Sequence, residues 1–250
     1  MTNEILALFQ PFDELLEAVF IRRENRFRAE VELNGVSVKV HVPNSGRMQE
    51  LLVPGATVWI QPAKGKTKSN AERKTAYTLL LVQQGSRYVC LNAHLANEIV
   101  GYWLSQDLLP EFAGCKNIER ERTIGKSRMD FRINRGDTTC YIEVKSVNLL
   151  VGDIACFPDA PTERGSKHLQ ELIQCKNQGM DAAVIFVVMG NAATQFAPNI
   201  TTDPVFAANL RMAQKQGVEV YVYTCEINLN GVRYTGRIPM QEESEWKFMH

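Results

Sequence analysis

Hydrophobic and polar positions alternate over residues 26–33, RFRAEVEL, and again over 36–42, VSVKVHV, with Asn34-Gly35 between the two runs. Alternation predicts half-buried strands, and Asn-Gly between two such runs is the strongest short signal for a hairpin turn. A further strand, ATVWIQPA, follows the break at Pro54-Gly55, and the polar loop KGKTKSNAERK leads to AYTLLLVQQ and SRYVCLN. Five short strands within roughly 80 residues predict a small β-barrel. An OB-fold suits this spacing, and an SH3-like barrel suits it nearly as well.

The pattern changes after Asn92. AHLANEIVGYWLSQDLL repeats at helical spacing and stops before Pro110. Strands are expected at 117–124, 128–133 and 139–147, then a helix over 160–178 ended by Gly179. The apolar run AAVIFVVM reads as a buried strand, DPVFAANLRMAQKQG as a helix, and VEVYVYTCEI as a last strand. Strand–helix–strand–helix–strand order predicts an α/β layer whose last strands are parallel. The chain therefore divides into a barrel over 1–92 and an α/β domain over 93–250, α+β overall.

One hairpin carries charges that burial does not ask for. With RGDT (135–138) as the turn, Ile133 faces Cys140, Phe131 faces Ile142 and Met129 faces Val144, so apolar residues meet on one face. The same register sets Asp130 opposite Glu143 on the other face. Lys145, two residues on, shares that face. Opposed carboxylates repel by up to roughly 1 kcal/mol even on an open sheet, so a compensating charge is expected. Lys145 is one candidate and a divalent cation, Mg²⁺ or Mn²⁺, a better one, because two carboxylates leave room for water and phosphate around it. With a lysine beside the metal-bound water, that is the chemistry of phosphodiester hydrolysis. The spacing of Asp130, Glu143 and Lys145 resembles the PD-(D/E)xK nuclease signature. A solvated face of an edge hairpin is the plain alternative.

On the following helix, Arg164, Lys167, His168 and Glu171 share one stripe, with Leu169, Leu172 and Ile173 opposite. Turned toward the acidic face, the stripe offers three cations to a phosphate; a solvated helix face explains the same letters.

Charge adds little in total, since 28 Lys and Arg balance 28 Asp and Glu, so any polyanion must be held by local patches. Three basic runs supply them: Arg22, Arg23, Arg26 and Arg28; the 64–74 loop with Lys64 and Lys66; and Arg120, Arg122, Lys126, Arg128 and Arg132. Phe27, Trp59 and Tyr77 are available for stacking on bases, though each suits a core equally well. The turn Asn44-Ser45-Gly46-Arg47 has the composition of an anion-binding nest, and turn chemistry alone explains it too. The six cysteines show no zinc spacing, and reduced thiols in the cytoplasm are expected. The acidic N-terminus is not a secretory signal, and the longest apolar run is too short to span a membrane.

The segments IRRENRFRAEVEL, HVPNSGRM, ERTIGKSRMDF, CYIEVKSVNL and FPDAPTERGSKHLQELI closely resemble the sugar fermentation stimulation protein A family. The resemblance implies an OB-like domain followed by a PD-(D/E)xK restriction-endonuclease-like domain. It also implies DNA binding without sequence preference and a regulatory part in sugar, especially maltose, metabolism. Carried over by position, its core motif is Asp130, Glu143 and Lys145, with Glu121 rather than Glu119 as a third acid. A metal-dependent nuclease and a non-catalytic DNA-binding regulator on the same scaffold both fit. A glycosidase fits less well, because the adjacent lysine and the cation-bearing helix suit phosphate better than sugar.

Overall fold

The structure, a computed structural model, describes residues 8–63, 75–125, 127–190 and 192–246. Its first strand, β1 (Leu16–Asn25), pairs antiparallel with both β2 (Arg28–Leu33) and β4 (Thr57–Pro62). Strand β3 (Val36–His41) follows β2, and β5 (Tyr77–Gln84) follows β4. Parallel pairing of Val40 with Tyr77 and of His41 with Thr78 joins β3 to β5 and closes the ring as an OB-like barrel. Phe20, Val31, Val40, Ile60 and Leu79 fill it. The alternation of β1 is hard to read because its register slips between Phe20 and Arg22 and again between Arg23 and Asn25. Each slip disturbs the two-residue period that marks a strand.

β6 (Arg87–Cys90) continues the barrel sheet beyond β5, and its end belongs to the second half: Cys90 N donates to Met189 O at 3.4 Å and its side chain packs into the next core. The N-terminal segment crosses over as well. Phe9 exchanges two backbone hydrogen bonds with Val232 (3.0 and 2.8 Å), so part of the expected 1–92 unit packs on the second domain.

That domain begins with α1 (Leu95–Ser105) and an antiparallel series, β7 (Lys116–Ile124), β8 (Ser127–Arg135) and β9 (Thr138–Val147). A small sheet unsignalled by the sequence follows, from β10 (Leu149–Val151), β11 (Ile154–Phe157) and, later, β13 (Gln195–Pro198). The remaining elements are α2 (Glu163–Asn177), β12 (Asp181–Val188), α3 (Pro204–Lys215), β14 (Glu219–Asn228) and β15 (Gly231–Arg237). The main sheet runs β15-β14-β12-β9-β8-β7, and β9, β12 and β14 are parallel, as the element order predicts.

β12 is apolar on both faces because both are covered. Ile185 and Val187 pack toward α1, whereas Val184, Phe186 and Val188 pack toward α2 and α3. Both latter helices start on side-chain caps: Thr162 Oγ1 accepts from Gly165 N (3.0 Å) and Asp203 Oδ1 from Phe206 N (2.9 Å). Among the described residues no helix is long and apolar enough to cross a membrane.

Candidate metal and nucleic-acid site

The β8–β9 ladder holds the anticipated register from Arg135↔Thr138 to Phe131↔Ile142 and then stops. Asp130 ends it. Its Oδ2 accepts the Val144 N–H at 2.7 Å, a donor that a continuing ladder would have paired with backbone. The strands separate there, and the pair Met129–Val144 does not form. Met129 turns into the core under α2 while Phe131 and Ile133 stay in the core under α1. Asp130 thus sits at a split between strands rather than squarely opposite Glu143. Its Oδ1 accepts from Asn97 Nδ2 of α1 (2.5 Å), and Arg120 steadies Asn97 by donating to its backbone O and Oδ1 (3.2 and 3.3 Å). Asn97 carries no motif that would have revealed this role in the sequence.

Glu143 and Lys145 project on the α2 side of β9. Glu143 is only 4% exposed. Its Oε1 accepts from Lys145 Nζ at 2.6 Å and from His168 Nδ1. Arg164 Nε donates to the other ring nitrogen, Nε2, at 3.4 Å. Glu143 Oε2 is buried and has no hydrogen-bond partner among the described residues, an arrangement that costs free energy unless something positive meets it. Burial first, and then the Glu143 charge, push the Asp130 carboxyl up to about 6. Burial also raises the Glu143 carboxyl, but the Lys145 ammonium and the His168 hydrogen bond outweigh it and hold the group below its ordinary value. Two neighbouring acids are thereby driven apart, a mark of functional carboxylates.

These groups line a cavity of about 330 Å³ at the junction of the two domains, with Arg164 on one side and Arg26, Asn44, Ser45 and Gly46 of the barrel on the other. The barrel turn is built to stay there. Arg23, half-buried, donates to the carbonyls of Arg26, Asn44, Gly46 and Arg47 at 2.5–3.0 Å. Its role is to fix the turn, and burial lowers its pKa. A carboxylate of the protein itself lies against the expected nest: Met48 N, one residue beyond it, donates to Asp159 Oδ2 at 2.7 Å, while Gly46 N donates to Asn44 Oδ1. A Cβ at position 46 would stand 2.8 Å from Asp159 Oδ2, so glycine is needed for the close approach. Asn44 Nδ2 reaches Asn148 Oδ1 (3.2 Å), tying the turn to the residues after β9.

The other anticipated residues divide. Arg164 and Asn44 line the cavity, and Arg47 lines a neighbouring one. His168 is buried against Glu143 and Lys167 is exposed, so the three-cation stripe does not act as a unit. Glu121 is exposed and paired with Arg128 (3.3 Å), while Glu119 binds Arg122 and Arg132; neither acid lines the cavity. Arg22 is paired with Glu30 at 2.7 Å on the surface. These ion pairs neutralise much of the anticipated basic run on β7 and β8. Lys64, Lys66 and Lys126 lie outside the described residues. Among the described residues no group of three His, Cys, Asp or Glu side chains forms a metal cage.

Two family models match the chain: "SfsA N-terminal OB domain" over residues 21–91 and "Sugar fermentation stimulation protein RE domain" over 94–231. Proteins described as sugar fermentation stimulation protein homologs are similar across nearly their whole length. That of Caldanaerobacter subterraneus subsp. tengcongensis is 41% identical over 224 residues, covering 90% of this chain and 96% of its own. That of Thermoanaerobacter sp. (strain X514) is 44% identical over 220 residues, covering 88% and 94%. A solved structure of Pyrococcus furiosus SfsA in complex with Ca²⁺ superposes with a TM-score of 0.85 at 29% identity, covering 94% of this chain and 99% of that one.

Proposed function

The chain belongs to the sugar fermentation stimulation protein family, and from that premise we propose that it binds DNA and hydrolyses phosphodiesters at a divalent cation held by Asp130 and Glu143. The observation that carries this reading is the unpartnered, buried Glu143 Oε2 beside a second carboxylate and an ammonium. The donors fit Mg²⁺ or Mn²⁺, which take one or two protein carboxylates and complete their shell with water and phosphate, so a three-residue cage is not required. The Ca²⁺ complex of the Pyrococcus protein supports a hard divalent ion on this scaffold. A cation bound there polarises a phosphoryl oxygen and acidifies its water.

The chain's own residues do the rest. Lys145 and His168 both hold Glu143 through Oε1, which leaves Oε2 as the oxygen presented. Asn97 and the Val144 N–H fix the Asp130 carboxylate from two sides, one donor on each oxygen, so a cation would share an oxygen that already accepts a hydrogen bond. Lys145 Nζ orients the attacking water and offsets charge gathering on the phosphate. Arg164, on the rim, supplies a guanidinium that grips phosphate oxygens. Phosphate contacts position a substrate without reading bases, which agrees with binding that has no sequence preference. Any regulatory part in maltose metabolism acts through that DNA contact.

Incubation of plasmid and oligonucleotide DNA with Mg²⁺ or Mn²⁺ tests the proposal. Cleavage should require the metal and fall by about 100-fold or more in Glu143→Gln and Lys145→Ala, the scale of losing an electrostatic catalytic group. Cleavage indifferent to both substitutions contradicts it. Binding without any cleavage by the unaltered protein leaves the non-catalytic regulator in its place.

A further inference from the structure

The carboxylate cavity is not closed at the barrel. It shares Arg26, Ser45, Gly46, Ala160 and Pro161 with a second cavity of about 280 Å³ that runs along the domain junction to Arg47. Among the described residues no Asp or Glu lines this second part. Arg26 and Arg47 have no carboxylate within ion-pair distance among the described residues, in contrast to Arg22, Arg28, Arg122, Arg128 and Arg132, which all do. A cationic groove therefore leads into an acidic end, the polarity a phosphate chain needs if one of its phosphates is to reach the Asp130/Glu143 pair.

Next in the chain to Arg26, which lines both parts of this groove, comes an exposed aromatic side chain. Phe27 follows Arg26 in the β1–β2 turn and is 53% exposed. Trp59, by comparison, is buried and meets Tyr88 edge-on at 4.9 Å. The Phe27 backbone is fixed on three sides: its N–H donates to Asn25 Oδ1 (2.9 Å), and its carbonyl accepts from Val42 N (2.9 Å) and meets His41 Nδ1 (3.1 Å). An exposed ring on a rigid turn next to Arg26, with Arg47 lining the same groove, supplies the parts that hold an unpaired strand: cations for the backbone and a π-face for a base. The groove's walls come from two domains, the 44–47 turn and the 157–162 segment.

Resting on the DNA reading above, we infer that the substrate is single-stranded DNA, its backbone running through the junction groove past Arg26 and Arg47 and one base stacked on Phe27. Fluorescence anisotropy of the full chain in Ca²⁺, with labelled oligo(dT) and a blunt duplex of the same length, tests this. The unaltered protein should prefer oligo(dT) by about tenfold or more. Phe27→Ala should weaken oligo(dT) binding by about 5- to 100-fold, the measured range for losing one stacked base, with the duplex changed less than about twofold. Phe27→Trp should restore the strand preference. Equal affinity for the two forms, or an oligo(dT) affinity untouched by Phe27→Ala, overturns the inference and leaves DNA binding intact. Failure to bind either form overturns the DNA reading itself.

Discussion

Burial and the Glu143 charge move the Asp130 carboxyl from 3.8 to about 6 on folding, so this one residue links stability, pH and metal. Its folded value is raised, and its contribution is therefore complete below pH 3.8 and lost as pH rises through about 6. Metal-free protein should weaken over that interval, and Asp130→Asn should be more stable than the parent at pH 8 by about 1–3 kcal/mol. Saturating Mg²⁺ should reverse the order by stabilising only the parent, and mainly above pH 6. Urea unfolding of both proteins across this range, in EDTA and in Mg²⁺, checks it; parallel stability curves contradict it. Spacing and alternation put Asp130, Glu143 and Lys145 on one face with a solvated hairpin face as the alternative, and all three line one cavity. Asn97 and Asp159 were not legible, because each acts through a neighbour far away in sequence and neither belongs to a periodic pattern. Glu121 was legible only as an acid on the preceding strand, and in the structure it pairs with Arg128 on the surface and does not line the cavity.

Among elements, the site depends on a strand pair that comes apart and on a turn that is clamped. The hairpin register was readable up to Phe131↔Ile142, since every apolar residue found an apolar partner. The separation beyond it was not, because it arises when a side-chain carboxylate takes the place of a backbone acceptor. The long helices and the parallel strands were readable from periodicity and element order. The short strands β10, β11 and β13, of three or four residues each, are too brief to show a period. The clamp makes its own prediction. Asp159→Ala leaves the Met48 N–H without its acceptor in a buried residue and should cost about 1–3 kcal/mol. Gly46→Ala should cost a comparable amount by displacing the same carboxylate. If the Asp159 contact is what Gly46 protects, the double variant should be less destabilised than the sum of the two, as double-mutant cycles in denaturant would show. Full additivity would mean the two residues act separately.

For the molecule as a whole, the barrel is more than an appended DNA grip. Its 44–47 turn is a wall of the carboxylate cavity, its last strand enters the second core, and the N-terminal segment pairs with β15. A boundary drawn near residue 92 from the change in periodicity carries no sign of these crossings, because they join residues far apart in the chain, 104 and 111 positions for the contacts of the turn. The neutral total charge likewise concealed a groove made basic by Arg26 and Arg47, neither ion-paired among the described residues. All of this places one small cationic track beside one acidic pair, and its meaning turns on whether that pair takes a metal. A crystal soaked in Mn²⁺ answers directly: the account predicts an anomalous peak bonded to Glu143 Oε2 and to an oxygen of Asp130, and it is contradicted if saturating Mn²⁺ leaves that position without a peak.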